Sequence, residues 1–447
     1  MNNNDTICAL ATAPGGAIAI IRISGNDAFR IVSSVFNKSI HDVPANTVHY
    51  GTISDDAGII DEVLVTVFRS PHSYTGEDSV EISCHGSRYI IQQILDLLVK
   101  QGCRMADPGE YTMRAFMNGK MDLSQAEAVA DLIASSNQAS HQLALSQLRG
   151  SVSSELAKLR DQLLRLTSLL ELELDFSDHE ELEFADRREL LQLAQTIEAH
   201  ITQLAHTFEA GQAIKQGIPV AIIGKTNVGK STLLNTLLGD ERAIVSDIHG
   251  TTRDTIEEVI NINGVAFRFI DTAGLRDTDD KIEKIGIERT LKKMEEARIV
   301  IYLLDEEPTE EERKNIEKIA EEKTVLFVQN KADLIDTSSF SFPNMLPISA
   351  KEGTNIETLK QQIYEAAKLP VLSDNDVIIS SSRHYNALLA ASDHLHRVLT
   401  GLQSHTPTDL VAEDLRLTLN TLSEITGGLI TSQETLNNIF SHFCVGK

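Results

Sequence analysis

The chain contains no tryptophan, and its four cysteines, Cys8, Cys84, Cys103 and Cys444, form neither a CxxC motif nor a dense framework. This excludes a disulfide-stapled secreted scaffold and suits a reducing compartment. No apolar run approaches the roughly 18 uncharged residues that a membrane span needs. The longest candidates, such as Ala17 to Ile21, are strand-sized. The opening residues Met1-Asn2-Asn3-Asn4-Asp5 lack the basic and apolar regions of a secretory leader. A cytoplasmic protein that makes no membrane contact is therefore expected. Positive charge is scarce as well: 40 Lys and Arg against 65 Asp and Glu leave −25 at neutral pH. Such a surface repels nucleic acid over long range, so contact with RNA requires a local basic patch or a basic partner.

What is present is ordinary globular material, 42% hydrophobic and 23% charged. A chain of 447 residues suggests about three domains, large enough to fold without disulfides or structural metals. Residues 1–118 read as mixed α and β, with strand-like runs at Ala17 to Ser24, Glu62 to Phe68 and Ser79 to Cys84 separated by turn residues. From 119 to 214 the period becomes helical. Leu156, Leu159, Leu163, Leu166 and Leu170 fall on one helix stripe, and Leu190, Leu193, Ile197, Ile201 and Leu204 on another. Over 215–371 strands and helices alternate, which predicts a parallel sheet. Helical stripes return over 372–447, with Leu388, Leu395, Leu402 and then Val411, Leu415, Leu419 and Leu422. The economical arrangement is an α/β domain inserted into an all-α helical domain, preceded by an α+β amino-terminal domain.

The strongest motif is Gly224-Lys225-Thr226-Asn227-Val228-Gly229-Lys230-Ser231, which fits G-x-x-x-x-G-K-[ST]. An apolar strand, Ile218 to Ile223, precedes it, and an apolar helix beginning near Thr232 follows. Its glycines let backbone N–H groups close around phosphates at the positive end of a helix. Lys230 is expected to reach the β and γ phosphates and the Ser231 hydroxyl to bind Mg²⁺. Asp271-Thr272-Ala273-Gly274 ends the apolar run Val265 to Ile270; Asn330-Lys331-Ala332-Asp333 follows Thr324 to Gln329; and Ser349-Ala350-Lys351 follows Leu346-Pro347-Ile348. In order and spacing these boxes resemble those of the Ras-like GTPase superfamily. A carboxylate such as Asp333 accepts from the N1–H and exocyclic amine of guanine, a donor pair that adenine lacks, so GTP is favoured over ATP. In Gly250-Thr251-Thr252-Arg253-Asp254, Thr252 is the candidate that completes the Mg²⁺ shell. Leu275 stands where Ras-like proteins use Gln to orient the attacking water, so either hydrolysis is slow or another group handles the water.

Beyond these boxes, the sequence resembles the MnmE (TrmE) family of tRNA wobble-uridine modification GTPases. The marks are Gly250-Thr251-Thr252-Arg253-Asp254, the segment from Pro108-Gly109-Glu110-Tyr111-Thr112-Met113-Arg114 to Ala128, and Phe443-Cys444-Val445-Gly446-Lys447. The resemblance covers nearly the whole chain. It implies an amino-terminal domain that dimerises and binds a 5-formyl-tetrahydrofolate-type cofactor. It implies a helical domain carrying an inserted G domain, and a flavin-dependent partner, MnmG (GidA), through which tRNA is engaged. With that partner the family installs a 5-aminomethyl or 5-carboxymethylaminomethyl group on the wobble uridine.

Carried over residue by residue, the resemblance puts a K⁺ site on Asn227, Ser246, Ile248 and Thr251. It makes Glu283 the residue that orients water. Arg22, Glu81, Lys120 and Lys447 become the folate contacts, and Cys444 gains a role in modification. A carboxylate suits the amino-pterin donors and basic groups suit the glutamate tail. On its own Asn227 fits a turn as well as an ion ligand. The chain has Thr226 where the family usually has Pro before the P-loop Asn. A binding-only switch, such as a ribosome-assembly GTPase, also accommodates Leu275, but it would be expected to append a basic RNA-binding domain.

Overall fold

The computed structural model describes residues 5–175, 187–239, 258–270, 296–334, 345–369, 377–404, 406–428, 436, 439–441, 443 and 446. The chain divides into two compact units: Met1–Ala130 with Gln147–Leu191 and Arg397–Lys447, and Asp131–Ser146 with Gln192–His396. Among the described residues no helix is long and apolar enough to cross a membrane.

In the first unit, six strands form one sheet: β1 (Ile7–Leu10), β2 (Ile18–Ser24), β3 (Thr47–Asp55), β4 (Gly58–Phe68), β5 (Ser79–His85) and β6 (Arg104–Met105). Their order is β3-β4-β5-β2-β1-β6, antiparallel throughout except for the parallel β1–β6 pair. Alternate residues point to opposite faces of a strand. Thus Ile21, Ile23, Val63, Val65, Val67, Val80 and Ile82 share a core with Ile31 and Val32 of the helix Ala28–Val35 and with Ile94 and Leu98 of the helix Arg88–Lys100. The opposite face carries Arg22 and Glu81, which sit directly across from each other on β2 and β5.

Gly109 then turns the chain in a left-handed conformation, φ 67°, into the helix Glu110–Met117. A Cβ there would lie 2.7 Å from the Phe440 carbonyl oxygen, so only glycine permits that approach. The expected leucine stripe is the buried one: Leu156, Leu159, Leu163, Leu166 and Leu170 line the helix Ser151–Asp175. That helix packs on Thr408–Thr426, whose Leu415 and Leu422 are also buried.

The second unit is built on β7 (Ile218–Ile223), β8 (Glu258–Ile262), β9 (Val265–Phe269), β10 (Ile299–Leu304), β11 (Thr324–Gln329) and β12 (Leu346–Pro347). Their order is β12-β11-β10-β7-β9-β8. All pairs are parallel except the β8–β9 hairpin. Strands covered on both faces read as continuous apolar runs. Accordingly Val220 and Ile222 enter one core with Leu233, Leu237 and Leu359, while Ala221 and Ile223 enter another with Val300.

This unit takes in more of the chain than the segment 215–371. The helix Gln138–Leu148 contributes Ala139 and Leu143 to the larger core. Two groups satisfy N–H donors of its first turn: the Gly264 carbonyl accepts from Ala139 N at 2.9 Å, and the Asn137 side chain accepts from Ser140 N at 2.9 Å. Downstream, Phe208 and Tyr385 stack with ring centroids 4.2 Å apart. The fold is thus multidomain α/β: an α+β sheet domain first, then helical segments interrupted by a parallel-sheet domain.

Candidate nucleotide site and amino-terminal cluster

In an open parallel sheet, ligands bind outside the carboxyl ends of the strands. Here the loop after the central strand β7 is the glycine-rich motif. Gly224 adopts φ 152° and Gly229 φ 102°. A Cβ at Gly224 would lie 2.3 Å from the Leu303 carbonyl oxygen, and one at Gly229 would lie 2.2 Å from Asn330 Nδ2. Glycine at both positions therefore lets the loop pass close against β10 and Asn330, in a geometry whose N–H groups can meet phosphate oxygens. Lys230 Nζ reaches back over the loop and donates to the Gly224 and Lys225 carbonyls at 2.9 and 2.6 Å. Ser231 and the exposed Thr232 lie in the first turn of the helix Lys230–Leu238. Val228 is buried, whereas Asn227 is exposed in a left-handed conformation, φ 60°.

Asn330, only 3% exposed, ties the boxes together. Its Nδ2 donates to the Val228 carbonyl at 2.8 Å, and its Oδ1 accepts from Ala350 N at 3.0 Å. The Thr236 hydroxyl, one helical turn past the P-loop, donates to the Ala350 carbonyl at 2.6 Å. Lys331, at φ 61°, pairs its Nζ with Asp305 Oδ2 at 2.6 Å. The Ser349 hydroxyl beside Asp333, with smaller help from a backbone amide and the Lys351 cation, holds the exposed Asp333 carboxyl below its ordinary range. Ser349 and Ala350 are buried, while Lys351 extends into solvent. Thr236 and Asp305 do not belong to any of the sequence boxes. The one signal for Asp305 is its position just after the apolar run of β10.

Ser246, Ile248, Thr251, Thr252, Asp271, Thr272, Ala273, Gly274, Glu283, Cys444 and Lys447 lie outside the described residues. Among those described, the structure brings Asn227, Val228, Gly229, Lys230, Ser231, Thr232, Asn330, Lys331, Asp333, Ser349, Ala350 and Lys351 to one edge of one sheet.

A second cluster forms on the face of the first unit's sheet opposite the main core. Arg22 Nε and Nη2 both contact Glu81 Oε1, at 2.9 and 2.8 Å. The guanidinium carbon lies 5.4 Å from the Tyr74 ring centroid and 5.7 Å from that of Tyr111. The Tyr111 hydroxyl donates to the Arg22 carbonyl at 2.7 Å, and the Tyr74 hydroxyl bonds the Thr112 hydroxyl at 2.8 Å. Arg22 Nη1 also faces the Gly446 carbonyl at 3.4 Å. Lys120 Nζ donates to the Pro71 carbonyl at 2.9 Å. The sequence pattern does not single out Tyr74, although it sits in the polar run Ser73-Tyr74-Thr75-Gly76-Glu77-Asp78.

A parallel sheet whose central strand feeds a glycine-rich phosphate cradle, with an anionic Asp333 at the same edge, defines a P-loop nucleotide-binding protein of the GTPase class. The chain belongs to the MnmE (TrmE) family. The family model for the MnmE helical domain matches residues 123–444, and that for the GTP-binding protein TrmE N-terminus matches 6–120. The chain is similar to tRNA modification GTPase MnmE of Phocaeicola vulgatus, 53% identical with both chains covered in full (100%). It is 55% identical to that of Parabacteroides distasonis, over 99% of this chain and 100% of the relative. With the Porphyromonas gingivalis protein of the same name it shares 51% identity, over 100% of this chain and 98% of the relative.

Proposed function

We propose that this tRNA modification GTPase is stimulated by potassium and works as a cytoplasmic homodimer with a flavin-dependent MnmG (GidA) partner. Together they form the 5-aminomethyl or 5-carboxymethylaminomethyl group on the wobble uridine of certain tRNAs. The observation that carries the GTPase reading is the Asn330 strut: one buried amide locks the phosphate loop to the loop that flanks Asp333. Purine reading and phosphate binding are thereby held in one frame.

Lys230 and the cradle N–H groups bind the phosphates, and Asp333 accepts from guanine. Asp271, Thr272, Ala273 and Gly274 complete the phosphate side. Ser231 and Thr252 would hold Mg²⁺, and Asn227, Ser246, Ile248 and Thr251 would hold K⁺. These cations would supply positive charge where negative charge develops on the phosphates during transfer. With Leu275 unable to orient water, Glu283 takes that part. In the first unit, the carboxylate and guanidinium of Glu81 and Arg22 suit the donor-and-acceptor edge of a pterin. They would hold a 5-formyl-tetrahydrofolate-type cofactor with Lys120 and Lys447, and Cys444 acts in modification.

GTP turnover compared in KCl and NaCl at matched ionic strength, with protein concentration varied, tests the GTPase half. A K⁺-specific rate that rises with concentration is expected. A slow rate indifferent to both overturns the potassium reading in favour of a switch that acts by binding alone.

A further inference from the structure

The Arg22–Glu81 pair is held by groups that the family resemblance leaves without a role. Arg22 projects from β2 onto the face of the sheet opposite the main core, and a long side chain there has several rotamers to choose from. Three constraints remove that choice. Glu81 Oε1 takes both Nε and Nη2. Tyr111, fully buried, presents its ring 5.7 Å from the guanidinium carbon and fixes the Arg22 backbone through its hydroxyl. Tyr74 presents its ring 5.4 Å away, from the loop between β4 and β5.

Tyr111 belongs to a small buried cluster with Ile7, Ala9 and Ala106, and Tyr74 packs against it. The Tyr74 hydroxyl is tethered at 2.8 Å to Thr112, a buried residue of the helix Glu110–Met117. Packing against that cluster holds the ring, and the ring's negative face is attracted to the cation. A guanidinium pinned in this way fixes Glu81 Oε1 and leaves Oε2 as an anionic acceptor for ligand N–H donors.

We infer that Tyr74 is a positioning residue of the cofactor site: its π face holds Arg22, and Arg22 in turn holds the Glu81 carboxylate that reads the ligand. This rests on the folate reading above. An unpinned Arg22 would have to be ordered at each binding event, at a cost in affinity.

The test is titration calorimetry of the full chain with 5-formyltetrahydrofolate. Tyr74→Met keeps the apolar volume and removes the π face; Tyr74→Phe keeps the face and loses the hydroxyl. Wild type should bind. Tyr74→Phe should stay within about twofold of it, and Tyr74→Met should weaken binding about 2- to 30-fold, the range of a cation–π contact. Thermal melting confirms that each variant is folded, and Tyr74→Leu serves the same comparison should the Met variant not fold. Equal affinity for Tyr74→Met and wild type overturns the inference. So does an equal loss in the Met and Phe variants, which would assign the effect to the hydroxyl. Wild type that does not bind overturns the folate reading itself, a result distinct from either.

Discussion

Asn330 is the residue on which the nucleotide site turns, and both ends of its amide bind protein. The partners are the Val228 carbonyl and the Ala350 N–H, and the side chain is buried. A buried amide satisfied on both sides is a strut. In the proposed reading base selection falls to Asp333, which is exposed. Only its ionised form accepts from two guanine donors. The Ser349 hydroxyl first, and Lys351 to a lesser degree, hold this carboxyl below its ordinary range. A depressed group loses its anionic function as pH falls through its lowered pKa. Guanine-nucleotide affinity should therefore be flat from neutrality to below about pH 4, the ordinary aspartate value. Ser349→Ala should move the acid loss upward towards that value, as read by fluorescent GDP titration between pH 3.5 and 8. An unshifted midpoint would show that Ser349 does not set the charge of Asp333.

At the scale of elements, the helix Glu110–Met117 shows what a single sequence reveals and what it hides. Glu110 and Arg114 are spaced i, i+4, and their 2.9 Å ion pair is a local feature. Hidden in the sequence is the destination of the remaining donors and acceptors. Arg114 also meets Asp5 at 2.5 Å and Glu77 at 3.2 Å, and Arg104 meets Glu110 at 2.5 Å and Asp5 at 2.7 Å. Those partners come from strand ends and loops that only the tertiary fold gathers.

The same division runs through the molecule. The P-loop, the Asn330 to Asp333 box and the Ser349 to Lys351 box are legible because spacing and flanking apolar strands are local properties. Thr236, Asp305 and Tyr74 are not, because their meaning depends on a distant contact. The helix Gln138–Leu148 is legible as a helix. Its place against the β8–β9 turn is not, because the Gly264 carbonyl that caps it lies far downstream.

The ion network carries its own prediction. Glu110 is 2% exposed and the Arg114 side chain 9%. Arg114→Met leaves Glu110 paired with Arg104 alone and removes the cation from Glu77, and should cost about 1–3 kcal/mol in the amino-terminal unit. Burial alone would raise the Asp5 and Glu110 carboxyls, but hydrogen bonds from Arg104 and Arg114 bring both below their ordinary range. Their stabilisation is present above the unfolded carboxylate values and is lost as pH falls through the folded ones. Calorimetric melting at pH 7 and pH 3.5 should show a smaller acid-induced drop for Arg114→Met than for wild type. An equal drop would place the acid sensitivity elsewhere.

For the whole molecule, a net charge of −25 bears on how a tRNA modification enzyme meets its substrate. Phosphate neutralisation by Lys and Arg supplies most non-specific nucleic-acid affinity and all of its steep salt dependence. A chain with 65 acids and 40 bases opposes that attraction at every distance beyond a local patch, and most strongly at low salt. In the proposed reading the flavoprotein brings the basic surface, and the GTPase joins tRNA through it. Labelled tRNA should show little anisotropy change with this chain alone between 50 and 200 mM KCl. With the partner added, affinity should rise and fall again steeply with salt. Steep, tight binding by the chain alone would instead reveal a basic patch within the acidic whole. The division of labour would then reverse, with the GTPase itself steering the tRNA.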